Sequence, residues 1–375
     1  MFFRLFICAA SILVGWGQSQ ADLVELNSAA ELHKAGNYAG AIEGYQRFLR
    51  AHPEQASVRS NLGAALAHEG RFEEAVREYL LALDADPKSA PIRLNLALAY
   101  YKSGRVLESI EQLRQARRID PDNRQITLLL ATSYLRAGQN KQVIALLEPI
   151  AQVATADRAT SYLMGSALIR DDQLTRAQLW LDVILRDQDT AEARLLMGTA
   201  KMMANDLTGA RADLTRAAEL NPSSAEAHSY LGLTLLRSGD TAGAANQFRR
   251  GIELDPFDFD AALQLGGLLR QDQQLVEARV HLERALQLRP DDPGALYQIA
   301  TIDLAEGKLA EARAALETIV KASPQFVEAH VSLATVYYRL KRKADGDRER
   351  EIVKTLNAAA QAKQPGAKAV EPERR

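Results

Sequence analysis

The sequence predicts an all-α solenoid of about ten antiparallel helix pairs with a C-terminal capping helix. Three columns of residues predict it. Small residues recur at Ala29, Gly63, Ala97, Ala131, Gly165, Gly198, Gly232, Gly266, Ala300 and Ala334, in steps of 34 with one step of 33. A second column runs Ala41, Ala75, Ser109, Val143, Ala177, Ala210, Ala244, Ala278, Ala312, Gly346. A third is Pro53, Pro87, Pro121, a gap at Thr155 and Asp189, then Pro222, Pro256, Pro290 and Pro324.

Each element of the repeat has a physical reason. Gly36, Gly70, Gly104, Gly138, Gly239 and Gly307 mark the turn between the two helices, where a helix commonly ends left-handed. The small columns let the helices of a pair approach closely, and Leu62, Leu66, Phe72 and Tyr79 fill the space that remains. The prolines stop the second helix, since proline lacks a donor and clashes with the preceding turn. One hairpin cannot bury both faces, so neighbours stack. Repeats are expected to start near residues 22, 56, 90, 124, 158, 191, 225, 259, 293 and 327.

The fourth and fifth repeats depart from the pattern. Val143 and Ile150 stand where small residues are expected, Pro149 falls inside the expected second helix, and Asp172 replaces the turn glycine. Local repacking with a slight kink is one reading, and a hinge between two halves is the other. After Arg339 the dense charge of KRKADGDRERE reads as a polar capping helix, and residues 361–375 read as a disordered tail.

The first residues, MFFRLFICAASILVGWGQSQA, read as an export signal: Arg4, a short apolar run from Leu5 to Trp16, and Ser19-Gln20-Ala21 for cleavage before Asp22. The run is short of the roughly 20 apolar residues of a membrane span, and an uncleaved anchor is the alternative. Cys8 is the one cysteine and lacks a lipidation context, so the mature chain is expected to carry no thiol. Export to a periplasm or beyond the cell follows as an expectation.

Composition is that of an ordinary folded chain: 375 residues, 47% hydrophobic, 25% charged, net charge −2. That balance gives no global basic field for nucleic acid. Phosphate-loop, dinucleotide, zinc-protease and serine-hydrolase motifs are all lacking from the sequence. His33, His52, His68, His228, His281 and His330 are scattered rather than paired at metal-ligand spacing, and His228 and His330 read as packing residues. No cofactor, metal or catalytic domain is expected.

The columns resemble the tetratricopeptide repeat, from about Asp22 to Ala360, with small residues at repeat positions 8 and 20, large ones at 7, 11 and 24, glycine at 15 and proline at 32. The resemblance implies a right-handed superhelix whose first helices line a concave groove through positions 2, 5, 6, 9, 12 and 13. Carried over position by position, three features mark that groove. Asn27, Asn61 and Asn95 share position 6, followed later by Gln264 and Gln298; they look like the asparagine ladder of O-linked N-acetylglucosamine transferases. A peptide-gripping ladder and plain repeat consensus are both open. Lys34, His68, Lys102, Arg136, Arg170, Arg237 and Arg339 share position 13, either facing a ligand or favoured by the helix dipole. Tyr101, Tyr162, Tyr230, Tyr297 and Tyr338 either pack or offer contact area. The carboxylate clamp of chaperone-binding relatives is not matched by Leu26, Ala30, Asn61, Pro91 and Asn95.

The function expected is that of a non-enzymatic adaptor holding a partner segment in the groove. Its rivals are an envelope assembly factor working through its convex face or edges, and a non-catalytic subunit of an enzyme. The partner's identity and the oligomeric state are not readable from the residues.

Overall fold

The computed structural model describes residues 20–150, 157–185 and 189–362. Most of the expected export signal and of the expected tail lies outside them. The described residues form helices joined by short turns, in two compact units, 1–222 and 223–375.

The first unit pairs α1 (Gln20–Lys34) with α2 (Tyr38–Ala51), α3 (Ala56–His68) with α4 (Phe72–Ala85), and α5 (Ala90–Lys102) with α6 (Val106–Ile119). It continues with α7 (Arg124–Arg136) and α8 (Asn140–Leu147), α9 (Arg158–Arg170) and α10 (Leu174–Leu185), and α11 (Ala191–Met203) and α12 (Leu207–Leu220). The second unit pairs α13 (Ala225–Arg237) with α14 (Thr241–Leu254) and α15 (Phe259–Gln271) with α16 (Leu275–Leu288). It ends with α17 (Pro293–Ala305) and α18 (Leu309–Ala322), then α19 (Val327–Arg339) and α20 (Lys343–Ala362). Except for the short α8, partners within a pair make the largest contacts, and each second helix then packs on the next first helix of its unit, which is the stacking of a solenoid.

The small column at position 8 is a seat for a side chain. A Cβ on Gly63 would stand 2.8 Å from the Tyr79 ring, and one on Gly232 2.8 Å from the Phe248 ring. On Gly198 and Gly266 it would come within 2.5 Å of Leu214 and 2.6 Å of Leu282. Each of these large residues is at position 24 of the second helix and is buried. The glycine removes a Cβ so that the ring or branched chain above can lie on bare helix backbone.

The turn between paired helices is left-handed at position 15 in every repeat. Six glycines take it, with φ between 71° and 86°. Asp172, Asn205, Gln273 and Lys341 take it too, at φ 58–63°, where the sequence alone gave no turn signal. Both flanking helices over-determine the connection, so the cost of a left-handed non-glycine, about 1–2 kcal/mol, is tolerated.

Proline ends the second helix in the way expected. The residue just before each proline caps the helix outside the helical region, such as Asp86 at φ −133°, ψ 79° and Asn221 at φ −138°, ψ 85°. Proline disfavours the helical region for the residue before it. Pro149 is a correction. It lies beyond α8 rather than within it, because α8 stops at Leu147. A proline ring at 149 would clash with the carbonyl of Ala145 in a continuing helix, so the helix ends instead of kinking.

The first repeat of the first unit and the last repeat of the second are polar where the other repeats are apolar. Position 7 is Leu62, Leu96 and Leu130 in repeats two to four, all buried, but exposed Ser28 in the first. Position 10 changes from buried Ala65 and Ala99 to exposed Glu31. At the other end α20 sets exposed Asp347 and Lys354 where α2 has buried Ile42 and Leu49. Such terminal substitutions keep a stacking array from adding further units.

Two stability measurements check this packing. Ala244, fully buried in α14, should not accept bulk: Ala244→Leu is expected to destabilise by about 1–3 kcal/mol, against little change for Ala242→Leu on the exposed side of the same helix. Gln273→Gly should stabilise the second unit by about 1 kcal/mol in urea melts, because only glycine takes φ +62° without strain.

Candidate partner-binding site

Within each unit successive first helices touch, as α3 with α5, α5 with α7, α7 with α9, and α15 with α17. Among the described residues no successive second helices approach as closely. Each array therefore bends towards its first helices, and these make its inner face.

In five of the repeats a polar pair 19 residues apart ties the two helices. Arg59 Nη1 donates to Glu78 at 2.9 Å, Arg93 Nη1 to Gln112 at 2.9 Å, and Arg194 Nη1 to Asp213 at 2.7 Å. In the second unit His228 Nδ1 lies 2.8 Å from Gln247 Oε1, and His330 Nδ1 2.6 Å from Glu349 Oε2. His228 and His330 are thus structural, each engaged within its own repeat. Sequence reading placed them in the packing but missed the pairing, whose signal is a polar residue at position 4 facing another at position 23.

Position 13 works between repeats. Arg170 Nη1 donates to the Leu135 carbonyl at 3.3 Å, and Arg339 Nη1 to the Leu304 carbonyl at 2.7 Å. Arg136 sets its guanidinium 4.9 Å from the Tyr101 ring centroid, and His68 meets His33 with centroids 6.0 Å apart. In all four cases position 13 of one repeat reaches position 12 of the repeat before. The carbonyls of the last helical turn have no partner within the helix, and a cation placed there also opposes the negative end of the dipole. The column is a stitch along the inner face, and its arginines keep their positive charge while stitching.

The remaining site candidates differ in access. Asn27 is exposed, whereas Asn61 and Asn95 are only 3% and 1% exposed. A ligand reaching the last two would have to displace side chains that cover them. Lys34 is exposed and pairs with Glu31 at 2.7 Å, and Lys102 is exposed. Tyr101 and Tyr162 are half-buried on the inner helices of the first unit. Tyr230 and Arg237 stand on α13, and Tyr297 on α17, in the second unit. The Tyr297 hydroxyl lies 3.4 Å from Ser332 Oγ and its ring 5.2 Å from that of Phe326, so it packs between repeats. Arg270 joins this face at position 12, where its Nε donates to Gln298. Among the described residues no group of three or more His, Asp or Glu side chains is arranged to hold a metal ion, and no helix is long and apolar enough to cross a membrane.

Comparison with known proteins agrees with this architecture. One tetratricopeptide repeat profile matches residues 77–132 and 269–334, and a second matches 28–90, 195–256 and 231–293. No curated protein sequence matches the chain. Among solved structures, the APC/C hetero-tetramer Cut9–Hcn1 is similar in fold, at TM-score 0.52 and 11% identity over 92% of this chain and 88% of that one. MamA is matched at TM-score 0.42 and 20% identity over 48% of this chain and 98% of its own, and a MamA double mutant at 0.43 and 20% over 47% and 98%. Period, helix pairing and repeat profiles converge, and the chain belongs to the tetratricopeptide repeat family.

Proposed function

We propose that the chain is an exported, non-enzymatic adaptor whose first unit holds an extended, acidic segment of a partner protein along its inner face. One observation carries this reading. Over the first five of the first unit's six repeats the six inner positions hold Lys34, Lys102, Arg136 and Arg170 and no Asp or Glu, and the sixth adds Glu192, in a chain of net charge −2. The matching positions of the second unit mix Arg237, Arg270 and Arg339 with Glu226, Asp260 and Glu328. Half-exposed Tyr101 and Tyr162 add amphipathic contact area among the cations. The stitched ladder is formed before a partner arrives, which lowers the entropy lost on binding. Asn27 is the surface amide of its column and the one best placed to meet a peptide group.

A second reading rests on the outer helices. Val276 and Val280 on α16 are 82% and 59% exposed, one turn apart, and Leu107 and Leu179 stand exposed on α6 and α10. An assembly factor that docks through its second helices would use such residues.

The two readings separate in a crosslinking pull-down of the mature full-length protein with matched variants. Lys102→Glu with Arg136→Glu should lower retention of an inner-face partner by about tenfold or more, and raised salt should weaken it in parallel. Val276→Ser with Val280→Ser should leave that partner bound. The reverse pattern would assign binding to the outer helices. Circular dichroism controls for folding in each case. Export has its own test: N-terminal sequencing of the processed protein should begin at Asp22, and an intact Met1 on a membrane fraction would replace export by anchoring.

A further inference from the structure

At the junction of the first two repeats, the first rung of the stitch is part of a group of titratable side chains. His33 closes α1 and is 3% exposed. Tyr38 and Tyr45 of α2 surround it at centroid distances of 5.5 and 5.9 Å, and His68 of α3 meets it edge to face at 6.0 Å. The Tyr38 and His68 rings stack, parallel within 1° and 4.4 Å apart. The Tyr45 hydroxyl stands 3.4 Å from His33 Nδ1, while His33 Nε2 is buried with no hydrogen-bond partner.

This box suits neutral imidazoles only. A protonated His33 would carry an N–H at both nitrogens, and the one at Nε2 would be buried without an acceptor. The titratable groups facing it are Tyr38 and Tyr45 from α2 and His68 from α3. On α1 itself Glu31 and Lys34 pair with each other at the exposed surface, 2.7 Å apart. His330 in the second unit is the contrast: equally buried, it has Glu349 at 2.6 Å and the Pro324 carbonyl at 3.1 Å on its two nitrogens.

We propose that His33 and His68 form an acid-sensitive latch, in which protonation loosens the first helix pair from α3 while the rest of the chain stays folded. The latch rests on this packing alone and requires no partner on the inner face. Burial, and next the neighbouring His68, push the His33 imidazole down to about 4, and burial lowers His68 as well. An opened first repeat returns both rings to water, where imidazole titrates near 6.5. The open state therefore takes up protons first as pH falls. Full latching holds above about 6.5 and is lost progressively as pH falls towards about 4. Opening uncovers Leu26, Tyr45 and Phe48, which the pair otherwise buries.

Hydrogen exchange on the mature full-length protein tests this, with protection factors corrected for the intrinsic pH dependence. Between pH 7.5 and pH 5 the opening constant of α1 and α2 should rise about 30-fold from His33 alone, while α15 and α16 serve as the internal reference. His33→Leu should remove most of that rise, and His68→Asn should reduce it. If His33→Leu leaves α1 unprotected even at pH 7.5, the wild-type slope and the His68→Asn profile decide. The latch is overturned if α1 and α2 lose no more protection than α15 and α16, or if the foldable variants keep the wild-type slope.

Discussion

Everything in this molecule hangs on how closely the two helices of a pair can approach. The determining contact is between position 8 of the first helix and position 24 of the second. With glycine at 63 or 232, a Tyr79 or Phe248 ring comes within 2.8 Å of where a Cβ would stand. Dispersion gains accumulate over such a dense contact, although each atom pair adds little. Once that distance is set, the second helix presents a fixed surface to the next first helix. The array then bends towards its first helices, because those are the helices whose neighbours meet. The inner face on which Lys102, Arg136 and Tyr101 stand is a consequence of that one approach.

The sequence made the fold class legible because the constraint is periodic. A residue that must be small for the same reason in each copy leaves a column that no single copy could show. Less legible was whatever the chain can satisfy with more than one residue type. The left-handed turns at Asp172, Asn205, Gln273 and Lys341 are invisible to a search for glycine, since two anchored helices can hold an ordinary residue at positive φ. Pro149 was legible as a disruption but not as a helix end.

The candidate site was legible in position and not in orientation. Asn27, Asn61 and Asn95 look identical in a column, yet one amide is exposed and two are covered. Repeat position fixes which helix face a residue occupies; how deeply the neighbouring repeat covers it depends on that neighbour's side chains. The position-13 cations carry a similar ambiguity. A cation at the end of a helix serves a ligand or a carbonyl equally well on paper, and in Arg170 and Arg339 one N–H is committed to the first helix of the preceding repeat. Holding the guanidinium there orders a long side chain, so its charge is presented at a defined place instead of being spread over many rotamers.

Repeats also differ in how one grips the next. At position 21 the first four repeats bury Ile42, Val76, Ile110 and Ile144. Apolar burial of that kind is strong but indifferent to direction, so small slides cost little. In the eighth repeat the same position holds Arg279, which bonds Asp303 at 2.7 Å and Glu306 at 2.9 Å on the following repeat. Asp303 is largely covered, so taking the pair from water offsets much of its attraction, and the net gain over an isoleucine is small. What the ion pair adds is direction: a guanidinium shared by two carboxylates tolerates few relative placements of α16 and α17. The same repeat can therefore be stacked by greasy contact or by aligned charge. The choice alters the precision of stacking more than its strength.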